Sequence, residues 1–239
     1  MNELYPEMRA ALRAGRPFAT VTLLSTGGST STKLLVWPDG QVMGSLGDAS
    51  LDQRACEAAL PLLAHGESRI VDQPDLTVRF FIESFVPPPT LFMVGGVHIS
   101  IALAAMARVV GFRTVVVDAR SAFASSERFA GVDELLLAWP DEALEGRIDS
   151  RSCIALLTHD PKLDDPALRV ALRSPARYIG ALGSPTTHRR RLERLRAEGF
   201  DEAALARIHG PIGLSIGART PEEIAVSILA QIVQVQRQA

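Results

Sequence analysis

The chain has 239 residues, 47% of them apolar and 22% charged, with 25 basic against 27 acidic side chains and a formal net charge of −2. At about 150 residues per domain, that length makes one large or two small domains, enough to bury a core without staples. The charge balance leaves no global field for nucleic acid or anionic lipid, two cysteines exclude a disulfide framework, and no apolar run spans a bilayer.

In chain order, Met1-Asn2-Glu3-Leu4-Tyr5-Pro6-Glu7 shows no basic-then-apolar leader, and the expectation is a cytoplasmic protein. Leu4, Met8, Ala11 and Leu12 share a helical stripe that Gly15 can stop. The short apolar runs Phe18 to Leu24, Lys33 to Trp37 and Gln41 to Leu46 read as strands, the last two joined through the turn Pro38-Asp39-Gly40. A helix is expected from about Ser50 to Ala64, then strands at Arg69 to Val71 and Leu76 to Val86. Strands and helices do not alternate regularly here, so the first part predicts an α+β layer with a mixed or antiparallel sheet.

Pro87-Pro88-Pro89 removes three backbone donors in a row and holds the chain extended. The expected division is therefore residues 1–86 and 90–239, with 87–89 as linker. Beyond it the alternation is regular, with strand-like runs at Thr90–Val94, Thr114–Val117, Glu134–Trp139, Cys153–Thr158 and Tyr178–Leu182 separated by helical segments. Ile99, Ala102, Leu103, Met106 and Val110 form a helical stripe, and Ser184-Pro185 and Thr220-Pro221-Glu222-Glu223 are helix starts. Repeated βα units with right-handed crossovers make a Rossmann-like parallel sheet, so the fold class is α/β. The last helix, Pro221 to about Gln236, is apolar on two sides, which predicts burial between the domains or in a homodimer interface.

The first βα turn of this second part reads Gly95-Gly96-Val97-His98, a partial match to the glycine fingerprint that holds pyrophosphate on a helix start, with valine at the second glycine's place. Asp118 follows Gly95 by 23 residues, near the spacing of a ribose-binding carboxylate, and Arg120 follows it. NAD(P) binding and a scaffold that takes no dinucleotide are both open on this pattern. In an open parallel sheet ligands lie beyond the carboxyl ends of the strands, which here carry Gly95, Gly96, Asp118, His159, Asp160, Gly183 and Ser184. Asp160 before Pro161 also reads as a plain helix cap. Arg189, Arg190, Arg191, Arg194 and Arg196 crowd one helix, either as a solvated face or with Arg189 or Arg190 reaching an anion. In the first part, Gly27-Gly28-Ser29-Thr30-Ser31-Thr32 and Gly44-Ser45-Leu46-Gly47-Asp48-Ala49-Ser50 are hydroxyl-rich loops, read either as turns or as anion nests. Five scattered histidines and cysteines 97 positions apart (Cys56 and Cys153) give no metal spacing, and no Gly-x-Ser-x-Gly elbow supports a hydrolase.

Taken in order, these pieces resemble the XdhC/CoxI family, the accessory proteins of xanthine dehydrogenase and related molybdenum hydroxylases. The resemblance is carried by Leu157-Thr158-His159-Asp160, Tyr178-Ile179-Gly180-Ala181-Leu182-Gly183-Ser184, Ile208-His209-Gly210-Pro211-Ile212-Gly213-Leu214 and Gly217-Ala218-Arg219-Thr220-Pro221-Glu222-Glu223-Ile224-Ala225, strongly over Thr90 to Val233 and weakly over Ala19 to Ala59. It implies a small N-terminal domain before a Rossmann-like one. It further implies binding of molybdenum cofactor (molybdopterin) near Gly95, Gly96, His98, Asp118, Arg120, His159, Asp160, Gly183 and Ser184, and delivery to an apo molybdenum hydroxylase of the xanthine dehydrogenase type. That is a carrier's role, with a cysteine desulfurase as a further partner. The runner-up readings are an NAD(P)-dependent oxidoreductase and a non-catalytic nucleotide-binding scaffold. The family's Gly-x-Gly-His turn stands here as Gly95-Gly96-Val97-His98, its Gly-Ser-x-Pro motif as Gly28-Ser29-Thr30-Ser31, and its Gly-Gly-Cys-x-Glu segment as Asp48-Ala49-Ser50-Leu51-Asp52, so Ser50 offers no thiolate.

Overall fold

The computed structural model describes residues 4–25, 32–73, 78–120 and 125–238. It divides into two compact units, Met1–Pro87 and Pro88–Ala239. The Gly28-Ser29-Thr30-Ser31 segment lies outside the described residues.

The first unit holds helix α1 (Leu4–Arg13), strands β1 (Phe18–Ser25), β2 (Lys33–Val36) and β3 (Val42–Gly44), helix α2 (Ala49–His65), and strands β4 (Arg69–Gln73) and β5 (Val78–Phe85). Its five strands form a wholly antiparallel sheet in the order β3-β2-β1-β5-β4. Side chains alternate between the two faces, and both faces are covered. Ala19, Val21, Leu34, Val36, Phe80 and Ile82 cluster with Ala55, Ala59 and Leu62 of α2. Phe18, Leu35 and Trp37 cluster with Ala11 of α1. Helix α2 begins where the Asp48 carboxylate accepts from the Ser50 and Leu51 N–H groups, and it ends at Gly66 in the left-handed region (φ 67°).

The second unit runs β6 (Thr90–Val94), α3 (His98–Val109), β7 (Arg113–Val117), β8 (Glu134–Leu136), α4 (Pro140–Leu144), β9 (Cys153–Leu156), α5 (Pro161–Arg173), β10 (Tyr178–Ala181), α6 (Pro185–Ala197), α7 (Glu202–Leu205), β11 (Ile208–His209) and α8 (Pro221–Gln238). All six strands are parallel, in the order β11-β10-β9-β6-β7-β8. From the first strand the chain winds outward to one edge, returns beside its start and winds to the other edge. This is the strand order of a Rossmann fold, with its switch point between β6 and β9. Both faces are buried, so the central strands are apolar throughout rather than alternating. On one face Phe92, Val94, Val115, Ile154, Leu156 and Ile179 meet Leu168, Leu172 and Leu195 of α5 and α6. On the other, Leu91, Met93, Val116 and Ala155 meet Leu103 and Ala107 of α3 and Ala225, Ile228 and Ile232 of α8.

Several local expectations are corrected. Strands β8, β9 and β10 stop before Leu137, Leu157 and Leu182, where the chain turns at the sheet edge, and β3 covers only Val42–Gly44 of its longer apolar run. Short α4, α7 and β11 carry too few residues to show a periodicity. One stripe of α8 packs against α3 and β10, but Val226 and Val233 of the second stripe stay exposed in the chain. No helix among the described residues is long and apolar enough to cross a membrane.

Candidate functional site

The candidate site is the edge where the parallel strands end. After β6 the chain turns through Gly95, whose φ of +118° favours glycine. A Cβ there would stand 2.5 Å from Thr158 Cγ2, so the turns after β6 and β9 touch across the switch point. The Gly95 N–H donates to Val117 O at 2.8 Å, and Ser100 Oγ donates to Gly95 O. Val97 is the N-cap of α3 and supplies no side-chain cap, whereas Asp160 caps α5 through the Lys162 N–H and Ser184 caps α6 through the Thr187 N–H.

Asp118, the first residue beyond β7, is fully buried. Its Oδ1 accepts from the Arg120 N–H and Nε, each at 2.9 Å, and its Oδ2 accepts from the Gly96 N–H at 2.7 Å and from Arg120 Nη2 at 2.9 Å. Burial alone would raise this carboxyl, but the Arg120 and Gly96 donors hold it below the ordinary carboxylate range. Asp118 therefore pins its own turn to the glycine turn next door. Arg120 in turn lies within electrostatic reach of Asp160 and Asp164, which links the β7 turn to the β9 side. His98 and His159 are exposed, on the turns of the two neighbouring strands at the switch point.

A group under the same edge was not singled out from the sequence. Arg191 of α6 is 1% exposed and Asp164 of α5 is 2% exposed, and Arg191 Nη2 donates to Asp164 Oδ2 at 3.2 Å and to Leu182 O at 2.9 Å. Thr158 Oγ1 donates to the other Asp164 oxygen. Burial pushes the Asp164 carboxyl up, against the pull of Thr158 and Arg191. This pair ties the β9 turn to the β10 turn, the one that carries Gly183 and Ser184. The arginine that reaches inward is thus Arg191, while Arg189 and Arg190 are exposed and Arg194 and Arg196 are ion-paired with Asp165 and Glu202. A signal did exist: Arg191 precedes Leu195 by four residues and so shares its buried stripe.

In the first unit, the loop before α2 uses its donors internally. The Leu46 N–H goes to Asp52, the Gly47 N–H to Ser45, and the Ser50 and Leu51 N–H groups to Asp48. It is a folded cap rather than an anion nest. Cys56 is half-buried beside the sheet, and burial lifts its thiol. Burial pushes the Cys153 thiol up to about 12, so it stays protonated and inert at neutral pH.

Two further histidines, His188 and His209, predict a pH response of the second unit. Burial, with Arg191 nearby, lowers His188, and burial lowers His209, whose ring stacks on Tyr178 at 4.9 Å between centroids. The unfolded chain then binds protons more readily than the folded one below the ordinary value of 6.5. This contribution is whole above that pH and is lost as the pH falls through it toward the folded values. The melting temperature is expected to drop from about pH 7.5 to about pH 5.5, with a shallower drop in His188→Asn/His209→Asn. Thermal melts check this, and an equal slope in the two proteins would refute it.

The family described as XdhC Rossmann domain matches residues 91–232, and the one described as XdhC and CoxI family matches residues 11–73. The chain is 32% identical to a Bacillus subtilis protein named as a probable xanthine dehydrogenase subunit, over 68% of this chain and 48% of the other. It is likewise 32% identical to the Escherichia coli molybdenum cofactor insertion chaperone PaoD, over 53% of this chain and 42% of that one. A Bacillus halodurans crystal structure described as a xanthine dehydrogenase shares the fold with a TM-score of 0.73 at 27% identity, covering 97% of this chain and 66% of the other. The chain spans less than half the length of the curated relatives it matches.

Proposed function

The chain belongs to the XdhC and CoxI family, and we propose that it holds molybdenum cofactor at the sheet edge of residues 90–239 and hands it to a molybdenum hydroxylase of the xanthine dehydrogenase type. The names of its relatives support both the cargo and the recipient. The observation that carries the reading is the start of α3. Of the helices that begin at this edge, α5, α6 and α8 are capped by their own Asp160, Ser184 and Thr220. By contrast, α3 at Val97 and the five-residue α4 after the edge strand β8 have no side-chain cap, which leaves α3 as the uncapped start at the switch point. The first-turn N–H groups and the helix dipole there favour an anion, which suits the phosphate of the pterin. His98, which opens α3 after β6, and His159, after β9, are exposed at the same edge and suit a polar ring system, with Gly183 and Ser184 at the end of β10. Asp118, Arg120 and Gly96 hold the wall, and Asp160 shapes the start of α5.

The test is anaerobic incubation of the purified protein with released cofactor, followed by gel filtration and pterin fluorescence of the oxidised protein fraction. The wild type is expected to retain pterin. Val97→Asp places a carboxylate cap on α3, which favours the helix by about 1 kcal/mol while repelling a phosphate, and retention is expected to fall at least about tenfold in a folded protein. A wild type that retains no pterin, or a folded Val97→Asp that retains it equally, would remove the support for this site.

A further inference from the structure

The second unit has the strand order, the glycine turn and the acid after the second strand that together read an adenine dinucleotide in Rossmann enzymes. The acid at that place normally accepts hydrogen bonds from a ribose 2′-hydroxyl, and it needs free lone pairs to do so. An ionised carboxylate has about four acceptor positions. Asp118 fills two on each oxygen from within the chain: the Arg120 N–H and Nε on Oδ1, and the Gly96 N–H and Arg120 Nη2 on Oδ2. The residue has no exposed surface.

We infer that Arg120 is a specificity-determining residue: by clamping Asp118 from two positions along the chain, it blocks the ribose-reading position and makes the Rossmann unit refuse adenine dinucleotides. A diol entering here must break either a bidentate, charge-assisted pair or the Gly96 hydrogen bond that shapes the first turn. Neither is replaced in kind by a neutral hydroxyl. The pair does not drift aside easily, because the backbone N–H of Arg120 is bound to the same oxygen as its own Nε. The block is independent of what the edge carries, and it stands or falls separately from pterin retention.

Titration of the purified chain with NADH and with NADPH, followed by nicotinamide fluorescence anisotropy, tests it. The wild type is expected to show no saturable binding of either up to about 1 mM. Arg120→Ala frees two lone-pair positions on Asp118 while keeping the backbone bonds, and NADH binding is expected to strengthen about tenfold or more. Asp118→Ala/Arg120→Ala is expected to lose that gain. Circular dichroism and thermal melting report whether each variant is folded. If Arg120→Ala does not fold, Arg120→Lys takes its place, since it keeps the charge but cannot make the bidentate fork. Saturable wild-type binding of either nucleotide overturns the inference. So does a folded Arg120 variant that gains nothing, or a gain that persists without Asp118.

Discussion

Replacing Arg191 with methionine is expected to destabilise the second unit by about 3–5 kcal/mol, the range for breaking a buried ion pair from one side. The mutation leaves Asp164, 2% exposed, with Thr158 as its remaining side-chain partner, and leaves Leu182 O without the guanidinium. Because burial already pushes the Asp164 carboxyl up, the orphaned acid is expected to escape part of the penalty by taking a proton. The variant should therefore lose less at about pH 5 than at about pH 8. The companion change is more informative. Among the described residues, Arg191 Nε and Nη1 have no hydrogen-bond partner, so the native pair already bears the desolvation of two charged donors. Arg191→Met/Asp164→Leu removes both charges, fills the space with apolar atoms and is expected to recover most of the loss. Urea unfolding of the four proteins gives the coupling energy directly. Additive losses would mean that Arg191 and Asp164 act separately.

The role of this pair explains why the sequence reveals the frame of the site better than its chemistry. Repeated βα units separated by turn residues identify the Rossmann half, because strands buried on both faces must be apolar throughout and the helices between them must carry a stripe. The residues at the strand ends, Gly95, Asp118, His159 and Ser184, are legible for the same reason: a parallel sheet puts them on one edge. What each does there depends on contacts that no spacing encodes. Asp118 reads as an acceptor for a ligand, yet its lone pairs are filled by Arg120 and by a glycine 22 residues earlier. Arg191 stands among five arginines and differs from Arg189 and Arg190 in sharing the stripe of Leu195, since each step along the helix turns the side chain by about one hundred degrees. Asp160 and Ser184 are seen as caps from sequence because capping is local. The uncapped start at Val97 acquires meaning only once the helix is seen to begin at the switch point.

Gly95→Ala is expected to cost about 3 kcal/mol and to impair cargo retention with it. Two separate causes meet at this residue. Its φ of +118° is strained for any residue with a Cβ, and that Cβ would lie 2.5 Å from Thr158 Cγ2, closer than carbon atoms pack. The backbone cannot yield to relieve the contact, since the Gly95 N–H is held by Val117 O and its carbonyl by Ser100 Oγ. Thr158 cannot swing away either, because its hydroxyl is engaged with Asp164. Thr158→Ser separates the two causes: it deletes Cγ2 and retains the hydroxyl, at about 1 kcal/mol for the lost methyl. In Gly95→Ala/Thr158→Ser the packing part of the loss should vanish and the backbone part should remain, so the double variant is expected to be more stable than Gly95→Ala alone. Were the two changes simply additive, the turns after β6 and β9 would not be in contact in solution. The first turn of α3 would then lack the rigid support on which an anion site at Val97 depends, because the donors there are aimed only as well as Gly95 holds the chain entering the helix.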